Sequence, residues 1–127
     1  GVGGKEARPD SQGPRAAPSH RRAILPLVKK GYAIILLDVY DRERYVDYAR
    51  RATEIESRHG ARPLVASDAL EVVEGEWPAE RTVVLEFPTI ERARAWYSDP
   101  EYQELIGLRQ GATRSRILFV EGFLDAD

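Results

Sequence analysis

YAIILLDV, residues Tyr32–Val39, is the stretch on which the fold turns. It is short, aliphatic and bounded by Gly31 and Asp41, so it reads as a strand with apolar side chains on both faces. Asp41 suits the N-cap of the segment that follows. There Tyr45, Tyr48, Ala49, Ala52, Ile55 and His59 recur at helical spacing, and Gly60 stands where a helix ends. Arg62 to Val73 alternates imperfectly and reads as a second strand with a bend or bulge at Ser67-Asp68, followed by a turn over Gly75 to Glu80. TVVLEF, Thr82–Phe87, is a third strand. A helix opens at Ile90, and Ser98-Asp99-Pro100-Glu101 joins a cap, a first-turn proline and a capping-box acid, so the helix restarts there and runs to Gln110. RILFVEGF, Arg116–Phe123, is the fourth strand.

The order is βαββαβ. Right-handed crossovers make it a ferredoxin-like α+β sandwich: a four-stranded antiparallel sheet, order 4-1-3-2, with two helices on one face. Strands one, three and four carry apolar residues on both faces: Ile34 and Leu36 against Ile35 and Leu37, Val84 against Val83 and Leu85, Leu118 and Val120 against Ile117 and Phe119. Two helices shelter only one face. The economical cover for the other is the same sheet from a second copy, which predicts a homodimer.

Length and composition bound the rest. The chain has 127 residues, one domain's worth, with 43% hydrophobic and 31% charged residues. The apolar runs Ala23 to Val28 and Tyr32 to Leu37 are far shorter than the ~20 residues of a membrane span, so no membrane is expected as a partner. The absence of Cys removes disulfides, thiolate nucleophiles and Cys-type zinc sites, and two His cannot build a three-histidine metal centre. It is compatible with a cytoplasmic location. Residues 1–30, rich in Gly, Pro and basic side chains, read as a flexible basic arm ahead of a domain over 31–127. Arg21-Arg22 before AILPLV has the order of a twin-arginine signal but lacks its apolar core, and reads as a basic tail. Residues 32–127 hold twelve Arg and nineteen acids, a poor match for nucleic acid. Nucleotide, serine-hydrolase and zinc-protease motifs are missing, and Glu71, Glu74 and Glu76 read as a solvated acidic edge rather than a metal site.

The topology sorts the polar candidates to two ends of the sheet. At one, Asp38 continues an apolar strand; it is either a general base of raised pKa or the partner of Arg109 or Arg116. At the other, beside Arg62, Glu86 and Glu121, His59 closes the first helix and either shuttles protons or stabilises that helix's C-terminus. Glu86 and Arg62 form a cross-strand ion pair or a grip on a substrate carboxylate. Trp77, Trp96, Tyr97 and Tyr45, with Tyr48 and Tyr102, wall an apolar pocket or fill the core. Arg109 reaches an anionic substrate or complements a helix dipole.

Glu71–Trp77 (EVVEGEW), Val84–Pro88 (VLEFP), Ala93–Ser98 (ARAWYS) and Pro100-Glu101-Tyr102, together with Tyr32–Asp38, Tyr45, His59-Gly60 and Leu108-Arg109, resemble the DUF1330 family over residues 31 to 123. The family has a double glycine where this chain has Gly60-Ala61, and glycines where it has Ser67-Asp68-Ala69. The resemblance implies a dimeric α+β barrel, the group that includes antibiotic-biosynthesis monooxygenases, muconolactone isomerases and polyketide cyclases. With the polar residues above it points to a cofactor-independent isomerase, cyclase or oxygenase. The substrate expected is a mostly apolar carbonyl or carboxylate compound. Asp38 or His59 would move the proton, and Arg62 or Arg109 would hold the anion. The alternative is a ligand-binding or scaffold dimer without catalysis.

Overall fold

A computed structural model describes residues 28–125, and the basic stretch over residues 1–27 lies outside them. The chain runs β1 (Lys29–Val39), α1 (Arg42–Arg58), β2 (Arg62–Ser67), β3 (Arg81–Phe87), α2 (Ile90–Ser98), α3 (Pro100–Ala112) and β4 (Thr113–Asp125). The antiparallel sheet has the order β2-β3-β1-β4, the expected 4-1-3-2 read from its other edge, and the helices pack on one face.

Each helix begins where a side chain satisfies an otherwise unpaired amide. Asp41 accepts from the Arg44 N–H at 3.1 Å, Thr89 from Arg92 at 3.1 Å and Asp99 from Glu101 at 2.9 Å, with Pro100 opening α3. Gly60, at φ 79°, ends α1 in the left-handed conformation a glycine adopts without strain. The Ala112 carbonyl accepts from both Tyr40 and Asp41, at 2.8 and 3.1 Å. That joins the β1–α1 turn to the α3–β4 junction.

Three expected boundaries move. Lys29 and Lys30, assigned to the arm, pair in the sheet. β4 begins at Thr113, directly after α3. β2 stops at Ser67 rather than Val73, because its last partner, Thr82, lies one residue inside the start of β3. Leu70–Val73 therefore has no strand to pair with, and its alternation produces no ladder. The irregularity in β2 falls between Pro63 and Val65, on an edge strand, where a residue lacking an N–H is tolerated.

Register fixes the two faces. Ala33, Ile35 and Leu37 of β1, with Leu85 and Phe87 of β3, are buried against Ala52 and Ile55 of α1, Ala93 and Trp96 of α2, and Tyr102 of α3. Ile34 and Leu36, opposite Val84 and Leu118 or their neighbours, point to the helix-free side. There Leu118 is 53% and Val120 42% exposed. Among the described residues no helix is long and apolar enough to cross a membrane.

Gly31 sits where β1 passes the start of α2: a Cβ there would lie 2.5 Å from Ile90 Cα. Gly31→Ala is expected to destabilise the domain by about 2–3 kcal/mol, as overpacking against backbone does. A urea midpoint unchanged from the parent would contradict this close approach.

Candidate functional site

The polar residues proposed from sequence do not converge on one centre. Asp38 faces the helix-free side, where its Oδ1 accepts the Glu80 N–H at 3.0 Å and its Oδ2 lies 3.8 Å from Arg114 Nε. The expected partners, Arg109 and Arg116, are not its partners, because register sets Arg114 opposite Asp38 and Arg116 opposite Leu36. Arg109 belongs to the helix layer on the other side. His59 does not join Arg62, Glu86 and Glu121 either. It caps α1, and its Nε2 meets Asp99 Oδ2 at 2.8 Å, so one carboxylate caps α3 and holds the end of α1. His59 holds the Asp99 carboxyl below the ordinary range, with the Glu101 amide adding to the effect.

Arg62 and Glu86 form the expected cross-strand pair, 3.4 Å apart in directly opposed positions. Glu86 also accepts from the Tyr32 hydroxyl at 3.1 Å and lies 3.6 Å from Lys30 Nζ. Trp77 is 48% exposed on the β2–β3 connection, its indole donating to Thr82 Oγ1 at 3.2 Å. Trp96 is wholly buried, its ring 4.5 Å from that of Tyr102 and 5.6 Å from that of Phe87. It is core. Its Nε1 has no hydrogen-bond partner among the described residues.

Arg109 is the outlier. It lies in the last turn of α3 and is only 4% exposed, yet no carboxylate among the described residues pairs with it. Its Nη1 donates to the Tyr102 hydroxyl at 2.6 Å, and that oxygen lies 2.6 Å from the Tyr48 hydroxyl of α1. Among the described residues its Nε has no hydrogen-bond partner. Burial works against its charge, but the oxygens of Tyr102 and Tyr48 outweigh burial and hold the guanidinium protonated. Burial raises the pKa of both phenols, Tyr48 most strongly, so neither supplies a phenolate to cancel the cation. A buried positive charge with neutral partners leaves a field for an anion to complete.

Beside it lies a cavity of about 310 Å³ between the helices and the edge strand β4. Tyr97, Arg109, Ser115, Ile117, Leu118 and Phe119 line it, with Tyr97 and Phe119 edge to face at 6.3 Å. Ile117, Leu118 and Phe119 with one cation and the hydroxyls of Tyr97 and Ser115 combine apolar and polar surface, as a small-molecule site does. Of the sequence candidates, only Tyr97 and Arg109 meet here. Tyr45 lies elsewhere, in a larger cavity beneath α1, where its hydroxyl accepts from Arg81 Nε at 3.2 Å.

Glu56 carries a signal that the helical spacing held but the sequence reading passed over: it follows Ala52 by one turn and Tyr48 by two. Half-buried, its carboxyl is pushed up by burial to about 7.

A family model described as a domain of unknown function (DUF1330) matches residues 30–123. The RPA0582 protein of unknown function from Rhodopseudomonas palustris superposes with a TM-score of 0.64 at 18% identity, over 83% of this chain and 90% of that one. SnoaB, a cofactor-independent oxygenase from Streptomyces nogalater, superposes with a TM-score of 0.55 at 10% identity, over 76% and 95% of the two chains. At these identities the likeness shows the fold alone, the ferredoxin-like α+β arrangement. No curated protein matches the sequence.

A carboxyl whose pKa is higher folded than unfolded binds its proton more tightly in the folded state, so Glu56 costs stability as pH rises from 4.5 to about 7. Glu56→Gln is expected to raise stability at pH 8 by at most about 3 kcal/mol and to leave it nearly unchanged at pH 4. Parallel urea curves for parent and variant at the two pH values would refute this assignment.

Proposed function

This chain belongs to the DUF1330 family, and from that premise we propose that it binds a small, mostly apolar molecule bearing a carboxylate or an enolisable carbonyl in the Arg109 cavity. One observation carries the reading: a guanidinium 4% exposed, held among the described residues by neutral phenols, borders a cavity partly walled by Ile117, Leu118 and Phe119. Arg109 would take the ligand oxygen, Ser115 would offer a hydroxyl, and the Tyr97 and Phe119 rings would flank the apolar body.

Such a cation does more than bind. As a proton passes from the carbon beside a carbonyl to solvent water acting as the base, negative charge gathers on the oxygen, and a fixed guanidinium stabilises that enolate more than the neutral ground state. Enolates are shared by isomerase, cyclase and cofactor-independent oxygenase chemistry, so this reading needs no cofactor. It replaces the sequence-based assignment of Asp38 and His59 to proton transfer, since each is engaged away from this cavity. A second reading, ligand carriage without turnover, is favoured by the cavity lining itself, which holds no carboxylate or imidazole.

The acting unit in this proposal is a homodimer that stacks two helix-free faces. Tyr32, Ile34, Leu36, Val84, Leu118 and Val120 would meet across it. Light scattering is expected to give twice the 14.3 kDa of one chain. Val120→Lys, at a position already 42% exposed in the single chain, is expected to give folded monomers. A parent that scatters as one chain would sink the dimer.

For the site, benzoate and acetylacetone should shift the amide resonances of Ile117 and Phe119. In a folded Arg109→Gln variant, benzoate affinity at those resonances should drop about 10- to 100-fold, the span of a hydrogen bond to a charged group. Equal affinity in parent and variant would remove Arg109 from the site. Exchange of the acetylacetone methylene for deuterium, faster with parent than with Arg109→Gln, supports catalysis; equal rates leave carriage as the function.

A further inference from the structure

We propose that the cavity beneath α1 is a second small-molecule site, selective for a monoanionic carboxylate with an apolar body, and that Asp68 occupies its anion position until a ligand displaces it. The cavity measures about 450 Å³ and shares no lining residue with the Arg109 cavity. Leu37, Val39, Val46 and Ala49 give it an apolar wall, and Arg42, Arg81, Glu80 and Asp68 lie around it.

The cation here is built in and its counter-ion is not. Arg81 stands on the helix face of β3, opposite Leu37, with its side chain 25% exposed. Tyr45 orients it: Nε donates to the phenol oxygen at 3.2 Å, and the guanidinium carbon lies 5.7 Å from the ring centre. Another nitrogen of the fork, Nη1, donates to Asp68 Oδ1 at 2.8 Å. Asp68 is 63% exposed and comes just after the end of β2, at the start of a thirteen-residue connection, residues 68–80, without strand or helix. Connections of that length commonly serve binding.

A carboxylate 63% exposed, on an arginine whose side chain is a quarter exposed, is itself reached by solvent and open to replacement. A ligand carboxylate takes the same fork while its apolar body covers Val39, Val46 and Ala49, a gain Asp68 does not make. Displacing Asp68 leaves Arg42 and Arg81 against Glu80, a balance suited to one negative charge. Tyr45, a site residue in the sequence reading, then has a function as the positioning residue of Arg81.

The test is a benzoate titration of the whole chain followed by amide resonances, with benzamide as the uncharged control. Benzoate, and not benzamide, is expected to shift Val46 and Ala49. Asp68→Asn, at an exposed position, should tighten binding there about fivefold by removing the resident competitor. Arg81→Gln should abolish those shifts in a chain whose other resonances report an intact fold, and Tyr45→Phe should weaken them. Arg109→Gln should leave them in place while removing the shifts at Ile117 and Phe119, so the two sites fail separately. An Asp68→Asn chain that binds no tighter, an Arg81→Gln chain that binds as the parent does, or no benzoate-dependent shift at Val46 and Ala49 would overturn the proposal.

Discussion

The Arg109–Tyr102–Tyr48 chain of hydrogen bonds organises the helix layer. A guanidinium hidden from water needs partners for its donors, and on α3 its Nη1 finds Tyr102, seven residues earlier on the same helix. Tyr102 in turn reaches Tyr48 on α1. The antiparallel pair α1 and α3 is thus fastened at its middle by phenols, at one end by His59 and Asp99, and at the other by the amides on Ala112. The aromatic band of Tyr48, Tyr102, Trp96 and Tyr97 continues from there to Phe119 on β4. Because the phenols are neutral, the arrangement gives the guanidinium hydrogen-bond partners without cancelling its charge.

The sheet imposes the second constraint. Its helix-free face has an apolar centre, Ile34, Leu36, Val84 and Leu118, between two polar ends: Glu86 with Lys30, Tyr32 and Arg62 at one, Asp38 with Arg114 at the other. An apolar patch rimmed by paired charges has the anatomy of a protein interface. Stacking a second copy there leaves the cavity beneath α1 on the helix side, away from the proposed contact, while Leu118 would belong both to the contact and to the rim of the Arg109 cavity.

The architecture was readable because its signals are local and redundant. The caps at Asp41 and Asp99, the stop at Gly60 and the doubly apolar strands each act within a few residues, and they agree. The end of β2 was not readable, because Leu70–Val73 fails as strand only for want of a partner, a property of β3 and not of residues 70–73. The site was half legible. Arg109 and Tyr97 were among the chemistry-bearing residues, but which arginine Asp38 meets depends on a β1–β4 register that no spacing encodes. His59 was captured by a residue forty positions away. Arg81 was not among the sequence candidates, since its bond to Tyr45 joins β3 to α1 across thirty-six residues.

What decides the account is whether the buried guanidinium of Arg109 meets a ligand. The side-chain Nε–H of Arg109, which bonds to nothing among the described residues, is a direct reporter by ¹H–¹⁵N correlation. Addition of benzoate should move that resonance downfield, saturating together with the amide shifts of Ile117 and Phe119. A resonance that stays fixed while those amides saturate would mean that the arginine is a structural cation, and that the cavity beside it works without it.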